Sequence, residues 1–292
     1  SQKTTEVFTI EANRGNIYDD KGSLLATSVS RYDIYFDPTV AKEDAFSSGL
    51  VALCDELSKM SSNSTAYYQN LFRKSRAEGR KYVRVLRNVS YDEFLKIKQF
   101  PIFKLGQNRG GLIAEEFRER EYPMGKIGER TIGYQRLDKK GVYEVGLEGA
   151  FDEVLTGREG KRLKQKISKN QWEPIYDANE IEPLDGYDLY STLDMNIQDI
   201  AHHALLQQLE HYQADHGSVI VMEVETGAIK AISNLGRNSK GQYYERLNYA
   251  INEAHEPGST VKPIVLMAAL ADKKVDTSMT VNTKRGSDVF YG

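Results

Sequence analysis

Cysteine is nearly absent from this 292-residue chain: Cys54 stands alone, so no intrachain disulfide can form and thiolate-rich zinc or iron–sulfur sites lack ligands. Long apolar runs are missing too. The longest, residues 264–271, falls far short of the roughly 20 residues that cross a bilayer, and no membrane helix is expected. Neither charge is in excess: 39 Lys and Arg against 42 Asp and Glu leave a net charge of −3, too balanced for a protein whose main task is neutralising nucleic-acid phosphates. Proline is sparse, at 7 residues, and no repeat or low-complexity stretch occurs, which excludes disordered, collagen-like and solenoid chains. The five histidines include no His-Glu-x-x-His. The adjacent His202 and His203 would point about 100° apart on a helix, so one is expected to face solvent. Neither a metal nor a cofactor is expected.

What is present is globular: 40% hydrophobic and 28% charged residues, over a length that suggests two domains. The fold class is read as α+β. The opening is β-rich, with strands over 7–10, 16–18, 24–26 and 32–36 and a turn at Asp20-Lys21-Gly22. A helical insert follows at about 41–100, with helices over 41–60, where Leu50, Leu53 and Leu57 share a face, and over 67–77. The box Ser90-Tyr91-Asp92-Glu93 opens a third between 88 and 99. Residues 102–118 read as extended, 148–155 as a short helix closed by Gly157, and 161–181 as a hairpin around Asn170. Arg14 is expected to pair with Asp19, tying down the opening strand, and Arg120 to play a similar structural part. Pro183 and Gly186 break the pattern, which places one domain at 1–183 and the start of another at 184–292. There Asp194 precedes a long helix with an apolar stripe of Ile197, Ile200, Ala201, Ala204, Leu205 and Leu209. Residues 218–224 and 228–233, joined by Glu225-Thr226-Gly227, read as an antiparallel hairpin against that helix.

The sharpest local feature is Glu256-Pro257-Gly258-Ser259-Thr260-Val261-Lys262-Pro263, followed by the apolar run. Pro257-Gly258 ends a loop and Ser259 stands where a helix begins, with Pro263 tolerated because first-turn N–H groups have no intrahelical acceptor. Ser259 and Lys262, three apart, then share a helical face, and the amine can reach the hydroxyl to remove its proton. A lysine near pKa ~10.4 is almost fully charged at neutral pH; burial beside Val261, Val265 and Leu266 would desolvate it and make it a base. The helix amino terminus offers N–H groups to an acyl-transfer oxyanion. The tetrad alone fits a capping serine and a solvated lysine better than a catalytic pair, because Ser-x-x-Lys arises about once or twice by chance in such a composition.

That string resembles the first catalytic motif of class B penicillin-binding proteins, the monofunctional peptidoglycan D,D-transpeptidases. Arg14-Gly15-Asn16-Ile17-Tyr18-Asp19, with Gly22, Leu25 and Ala26, is similar to the family's amino-terminal signature. Arg120-Glu121-Tyr122-Pro123 with Ile132-Gly133-Tyr134, and Gly146-Leu147-Glu148-Gly149 with Leu155-Thr156-Gly157, resemble its later non-catalytic motifs. Thr192-Leu193-Asp194 with Ile197-Gln198, and Thr226-Gly227 before Ala231, resemble the opening of its transpeptidase domain. The matches run in order from about 11 to 285 and look FtsI-like. The resemblance implies a non-catalytic pedestal, or dimerisation-type, domain followed by the front part of a penicillin-binding transpeptidase domain. It implies that Ser259 is the acylated nucleophile and Lys262 the general base, with peptidoglycan stem peptides as substrates and β-lactams as inhibitors. It further implies a lipid-linked-precursor polymerase and divisome membrane proteins as partners. Because the chain begins at Ser1 and its first methionine is Met60, a single-span anchor upstream is expected, holding the protein on the outer, periplasmic side of the cytoplasmic membrane.

A role in cell division is expected ahead of two alternatives, an elongation-type transpeptidase and a non-enzymatic β-lactam sensor or scaffold. No Ser-x-Asn or Lys-Thr-Gly motif follows Ser259, as the family's catalytic domain requires; Ser287-Asp288-Val289 and Thr283-Lys284-Arg285 do not match them. The 292 residues alone are therefore expected to be catalytically incompetent: fluorescent penicillin should leave them unlabelled on a denaturing gel, and stoichiometric labelling at Ser259 would show the expectation to be wrong.

Overall fold

The computed structural model describes residues 5–138, 141–168, 171–174, 181–283 and 286. The chain forms two compact units, one up to Asn248 and one from Tyr249 onward. The first opens with β1 (Thr5–Ile10), β2 (Ile17–Tyr18) and β3 (Leu24–Phe36). The two strands expected at 24–26 and 32–36 are one, because the hydroxyl-rich residues between them, Thr27, Ser28 and Ser30, also pair along a neighbouring strand. Then come α1 (Glu43–Lys59), α2 (Thr65–Ala77), β4 (Val83–Ser90), α3 (Tyr91–Ile97), α4 (Gln107–Gly110) and β5 (Leu112–Glu121).

The helical insert folds as its spacing dictates. α1 buries Phe46, Leu50, Leu53, Cys54 and Leu57, one stripe three or four residues apart. Ser64 caps α2 by accepting the Tyr67 N–H, and Ser90 and Glu93 close the expected capping box on α3. These helices cover an antiparallel sheet in which β3 lies between β4 and β5. Phe36 is at the centre, its ring 4.9 Å from that of Phe72 and 5.2 Å from that of Phe103. Burial in this core pushes the Cys54 thiol up to about 12, which leaves it inert. Residues 102–118 are not extended throughout: Pro101 and Gly106 turn the chain through a 3₁₀ turn, Phe103–Leu105, and α4 before β5 begins.

The chain continues through α5 (Glu129–Ile132), β6 (Tyr134–Asp138), β7 (Gly141–Val145), α6 (Gly146–Ala150), α7 (Asp152–Leu155), β8 (Gly160–Ser168) and β9 (Gln171–Pro174). The helix expected over 148–155 is thus two short helices. β8 pairs antiparallel with β1 and β9; the tip of this expected hairpin, including Asn170, lies outside the described residues. β10 (Leu189–Tyr190) then runs parallel to β2, which pairs with β3. The backbones cross closely here. Gly15 donates its N–H to the Leu155 carbonyl and Gly186 to that of Asn13, both at 2.8 Å. A Cβ on Gly186 would lie 1.7 Å from the Leu155 oxygen, so only glycine fits.

Arg14 does not pair with Asp19. Asp19 accepts the backbone N–H groups of Lys21 and Ser23, closing its own turn, while the Arg14 guanidinium reaches α6 and α7. Glu148, 1% exposed, accepts from Arg14 Nη2 at 2.7 Å on one oxygen and from Arg120 Nε at 2.6 Å on the other. Arg14 Nη1 also binds Asp152 at 2.6 Å. Burial, then the nearby Glu148 charge, pushes the Tyr122 hydroxyl up to about 12, against the opposing pull of Arg120 and Arg14.

The remainder of the first unit is α8 (Met195–Tyr212) over the antiparallel sheet β11 (His216–Met222), β12 (Ile229–Arg237) and β13 (Tyr243–Tyr244). Asp194 caps α8 through the N–H groups of Asn196 and Ile197 and pairs with Lys21 at 2.6 Å, while Lys230 of β12 binds Asp20 at 2.9 Å. The buried face of α8 differs from the expected stripe: Ile200 is 68% exposed and Gln198 is buried. The Gln198 amide satisfies both backbone groups of Ile232, donating to its oxygen and accepting from its nitrogen at 2.8 Å each, which makes burial of a polar side chain tolerable. His202 is half-buried with Nδ1 3.4 Å from Ser233 Oγ, and burial holds its pKa below the usual value; His203 faces solvent, as expected of one of the pair. After β13, Glu245 turns inward and accepts the Arg130 N–H at 2.6 Å. Burial pushes this acid up to about 7.

Replacing Glu148 strands the Arg120 guanidinium and leaves Arg14 with the Asp152 ion pair. Glu148→Ala should lower unfolding free energy by about 3 kcal/mol or more in urea titrations of this chain; a loss below about 1 kcal/mol, the value of an exposed pair, would contradict the clamp.

Candidate active site

The second unit contains α9 (Tyr249–Asn252), a 3₁₀ turn, Gly258–Val261, and α10 (Lys262–Ala271). Gly258 takes φ +56° with open space around the position of a Cβ, so glycine is needed for its backbone conformation rather than for room. The left-handed residue reverses the chain out of Pro257 and starts the turn. Thr260 fastens it, donating both its N–H and its hydroxyl to the Pro257 carbonyl. The Lys262 N–H donates to the Ser259 carbonyl, closing the turn where α10 begins, and Pro263 sits in the first turn of α10, as its sequence position predicts.

This geometry bears on the two candidate residues. A 3₁₀ turn has three residues per revolution, so side chains at i and i+3 eclipse. The spacing of Ser259 and Lys262, across the end of this turn, suits a same-side arrangement. Ser259 makes no side-chain cap: the residue at the cap position of the turn is Pro257, that of α10 is Val261, and neither helix end has a side-chain cap bond. The capping role that Ser-x-x-Lys also fits is thus not the one Ser259 plays.

The desolvated surround expected for Lys262 is not formed. Lys262 is exposed, and Val261, Val265 and Leu266 are 39%, 60% and 56% exposed. α10 carries apolar side chains on every side, Ile264 and Met267 included, and among the described residues its own unit contributes no sheet to cover it. A helix that is hydrophobic all round belongs in a core. The 283–285 and 287–289 segments weighed against the family's other motifs lie wholly or partly outside the described residues.

Glu148 and Glu245 are the buried side chains that sequence reasoning missed as structural centres. For neither is there a local signal in the sequence, because the arginine partners of Glu148 are 134 and 28 positions away and the donors to Glu245 are backbone N–H groups.

Comparison with known proteins agrees with the motif order. Residues 9–191 match the penicillin-binding protein dimerisation domain, and residues 217–289 match the penicillin-binding protein transpeptidase domain. The chain is 26% identical over 282 residues to a probable peptidoglycan D,D-transpeptidase PenA of Neisseria meningitidis, covering 94% of this chain and 46% of that protein. It is 29% identical over 293 residues to the peptidoglycan D,D-transpeptidase FtsI of Buchnera aphidicola, covering 97% and 48%. The chain thus spans about half the length of the curated relatives it matches. Its fold is that of penicillin-binding protein 2X from Streptococcus thermophilus, with a TM-score of 0.65 at 22% identity over 98% of this chain and 44% of that one. With the dimerisation-domain match covering well over half of its residues and the transpeptidase match following in order, the chain belongs to the penicillin-binding protein family.

Proposed function

We propose that this chain is the pedestal and the front of the catalytic domain of a class B, FtsI-like peptidoglycan D,D-transpeptidase, with the boundary near 182–186, and that Ser259 is its nucleophile. The observation that supports the reading is the 3₁₀ turn Gly258–Val261 leading directly into α10, a backbone suited to a serine and a lysine three residues apart, in a chain of this family. Ser259 Oγ attacks the carbonyl of the penultimate D-alanine of a stem peptide while Lys262 Nζ takes the hydroxyl proton. The C–N bond to the terminal D-alanine breaks, and that D-alanine leaves with the proton. An amine of a neighbouring strand then attacks the Ser259 ester, forming the crosslink and restoring the hydroxyl. The Ser259 N–H, in the first turn where no intrahelical acceptor is available, is suited to one half of an oxyanion hole.

Lys262 acts as a base only when desolvated, so the apolar surface of α10 has to be covered in the active form. We assign that cover to chain carrying the Ser-x-Asn and Lys-Thr-Gly elements. Among the described residues no helix is long and apolar enough to cross a membrane; the localisation proposed is the outer face of the cytoplasmic membrane through a separate anchor. The partners proposed are a lipid-linked-precursor polymerase and divisome membrane proteins. The FtsI names among the relatives support a division role over elongation.

The test uses a polypeptide extended through Ser-x-Asn and Lys-Thr-Gly. Ser259→Ala should reduce D-alanine release from a stem pentapeptide by at least about 10³-fold. Lys262→Arg, which keeps the charge but cannot give up its proton, should lower acylation while folding is unchanged by circular dichroism. Full activity in Ser259→Ala overturns the reading.

A further inference from the structure

Four acids are buried among the described residues: Asp19, Glu148, Asp194 and Glu245. Asp19 closes its turn, Glu148 lies between two arginines, and Asp194 has Lys21 and the start of α8. Glu245 differs. It is 6% exposed and its hydrogen-bond partners are backbone N–H groups: Arg130 at 2.6 Å on Oε2, with Gly128 and Asn234. Its Oε1 is buried with no hydrogen-bond partner. A buried oxygen with no donor, in a carboxyl that no cation faces, penalises the charged form more than the neutral one, and burial outweighs the backbone N–H groups that favour the carboxylate.

The position gives this chemistry a consequence. Gly128 and Arg130 flank the start of α5, inside the dimerisation-domain match; Asn234 lies on β12 and Glu245 just after β13, inside the transpeptidase match. The clasp therefore joins the two family segments at the end of the first unit, from which the chain enters the segment carrying Ser259. The charged and titratable groups around it are few. Glu129, beside the clasp on α5, repels its negative form and is paired with Lys126. The Arg130 guanidinium is turned to Tyr134, giving Nη1 to its hydroxyl at 2.8 Å and leaving Nε buried without a partner. His202 of α8 faces Ser233, next to Asn234.

We propose that Glu245 is a positioning residue for acylation of Ser259: its neutral carboxyl fastens the end of the β11–β13 sheet to the Gly128–Ile132 turn, and ionisation releases that fastening. This rests on the transpeptidase reading for its consequence at Ser259, but not for the clasp itself. The sign follows from linkage. An acid whose clasped form holds its proton up to about 7, against 4.5 when open, favours the clasp fully below about 4.5. It loses that preference as pH rises toward 7, by on the order of 10²-fold in the opening equilibrium.

Residue-resolved hydrogen exchange on this chain tests the clasp. Protection factors of the Gly128, Arg130 and Asn234 amides should fall by about 10-fold or more between pH 5 and 8, with Leu53 and Leu57 in the insert core as internal standards. Glu245→Gln, which still accepts a hydrogen bond but cannot ionise, should keep these amides protected at both pH values. Equal pH dependence in wild type and Glu245→Gln, or none in wild type, overturns the proposal. In the polypeptide extended through the remaining motifs, the wild-type acylation rate should change through pH 7 along a limb that Glu245→Gln lacks. Identical pH profiles overturn the positioning role alone; a wild type that is not acylated at all overturns the reading of Ser259, whatever the exchange data show.

Discussion

A single carboxylate, Glu148, is shared by two guanidinium groups from segments far apart in the chain, and the arrangement of the N-terminal part depends on that neutralisation. Arg14 follows β1, Arg120 ends β5, and Glu148 sits on α6. A fully buried acid is costly unless paired and hydrogen-bonded on both oxygens, so once α6 is in place both arginines have to arrive. Their arrival fixes the long β5–β3 pairing relative to the short helices α6 and α7. The glycine crossing at Gly15 and Gly186 brings β10 alongside β2 at the same place. From there Lys21–Asp194 and Asp20–Lys230 carry the arrangement into α8 and β12.

Stability and chemistry are divided between different residues. The ion pairs and the aromatic core around Phe36 hold a framework with no reaction centre in it. The residues proposed for catalysis stand on a turn whose geometry is local: Gly258 sets the left-handed step, Thr260 ties it to Pro257, and Pro263 lets α10 begin at once. The low dielectric that an amine needs to become a base is a tertiary property, supplied by whatever covers the apolar surface of α10.

Local signals in the sequence were read correctly where partners lie within a turn or two. The Ser90–Glu93 box, the Asp194 cap, the spacing of Leu50, Leu53 and Leu57, and the β11–β12 hairpin are of this kind. Readings failed where the partner is remote. The sequence suggests a local acid, Asp19, for Arg14, but Asp19 is taken by its own turn, and the acceptor Glu148 is 134 positions away. Ile200 was placed on the buried face of α8, yet Gln198 is buried instead, because the backbone of Ile232 offers it two matched hydrogen bonds that no periodicity encodes. The apolar residues of its own helix do not desolvate Lys262: Val261, Val265 and Leu266 are themselves exposed and cannot shield it alone. Of the candidate site, the three-residue spacing of Ser259 and Lys262 and the place of Pro263 at the start of α10 are legible in the sequence, whereas the 3₁₀ form of the turn is not.

The assignment of Ser259 as the acylated residue is tested most directly by mass-spectrometric mapping of the penicilloyl adduct in a polypeptide extended through Ser-x-Asn and Lys-Thr-Gly. One adduct per chain is expected, on the proteolytic peptide containing Ser259. An adduct confined to any other residue contradicts the assignment.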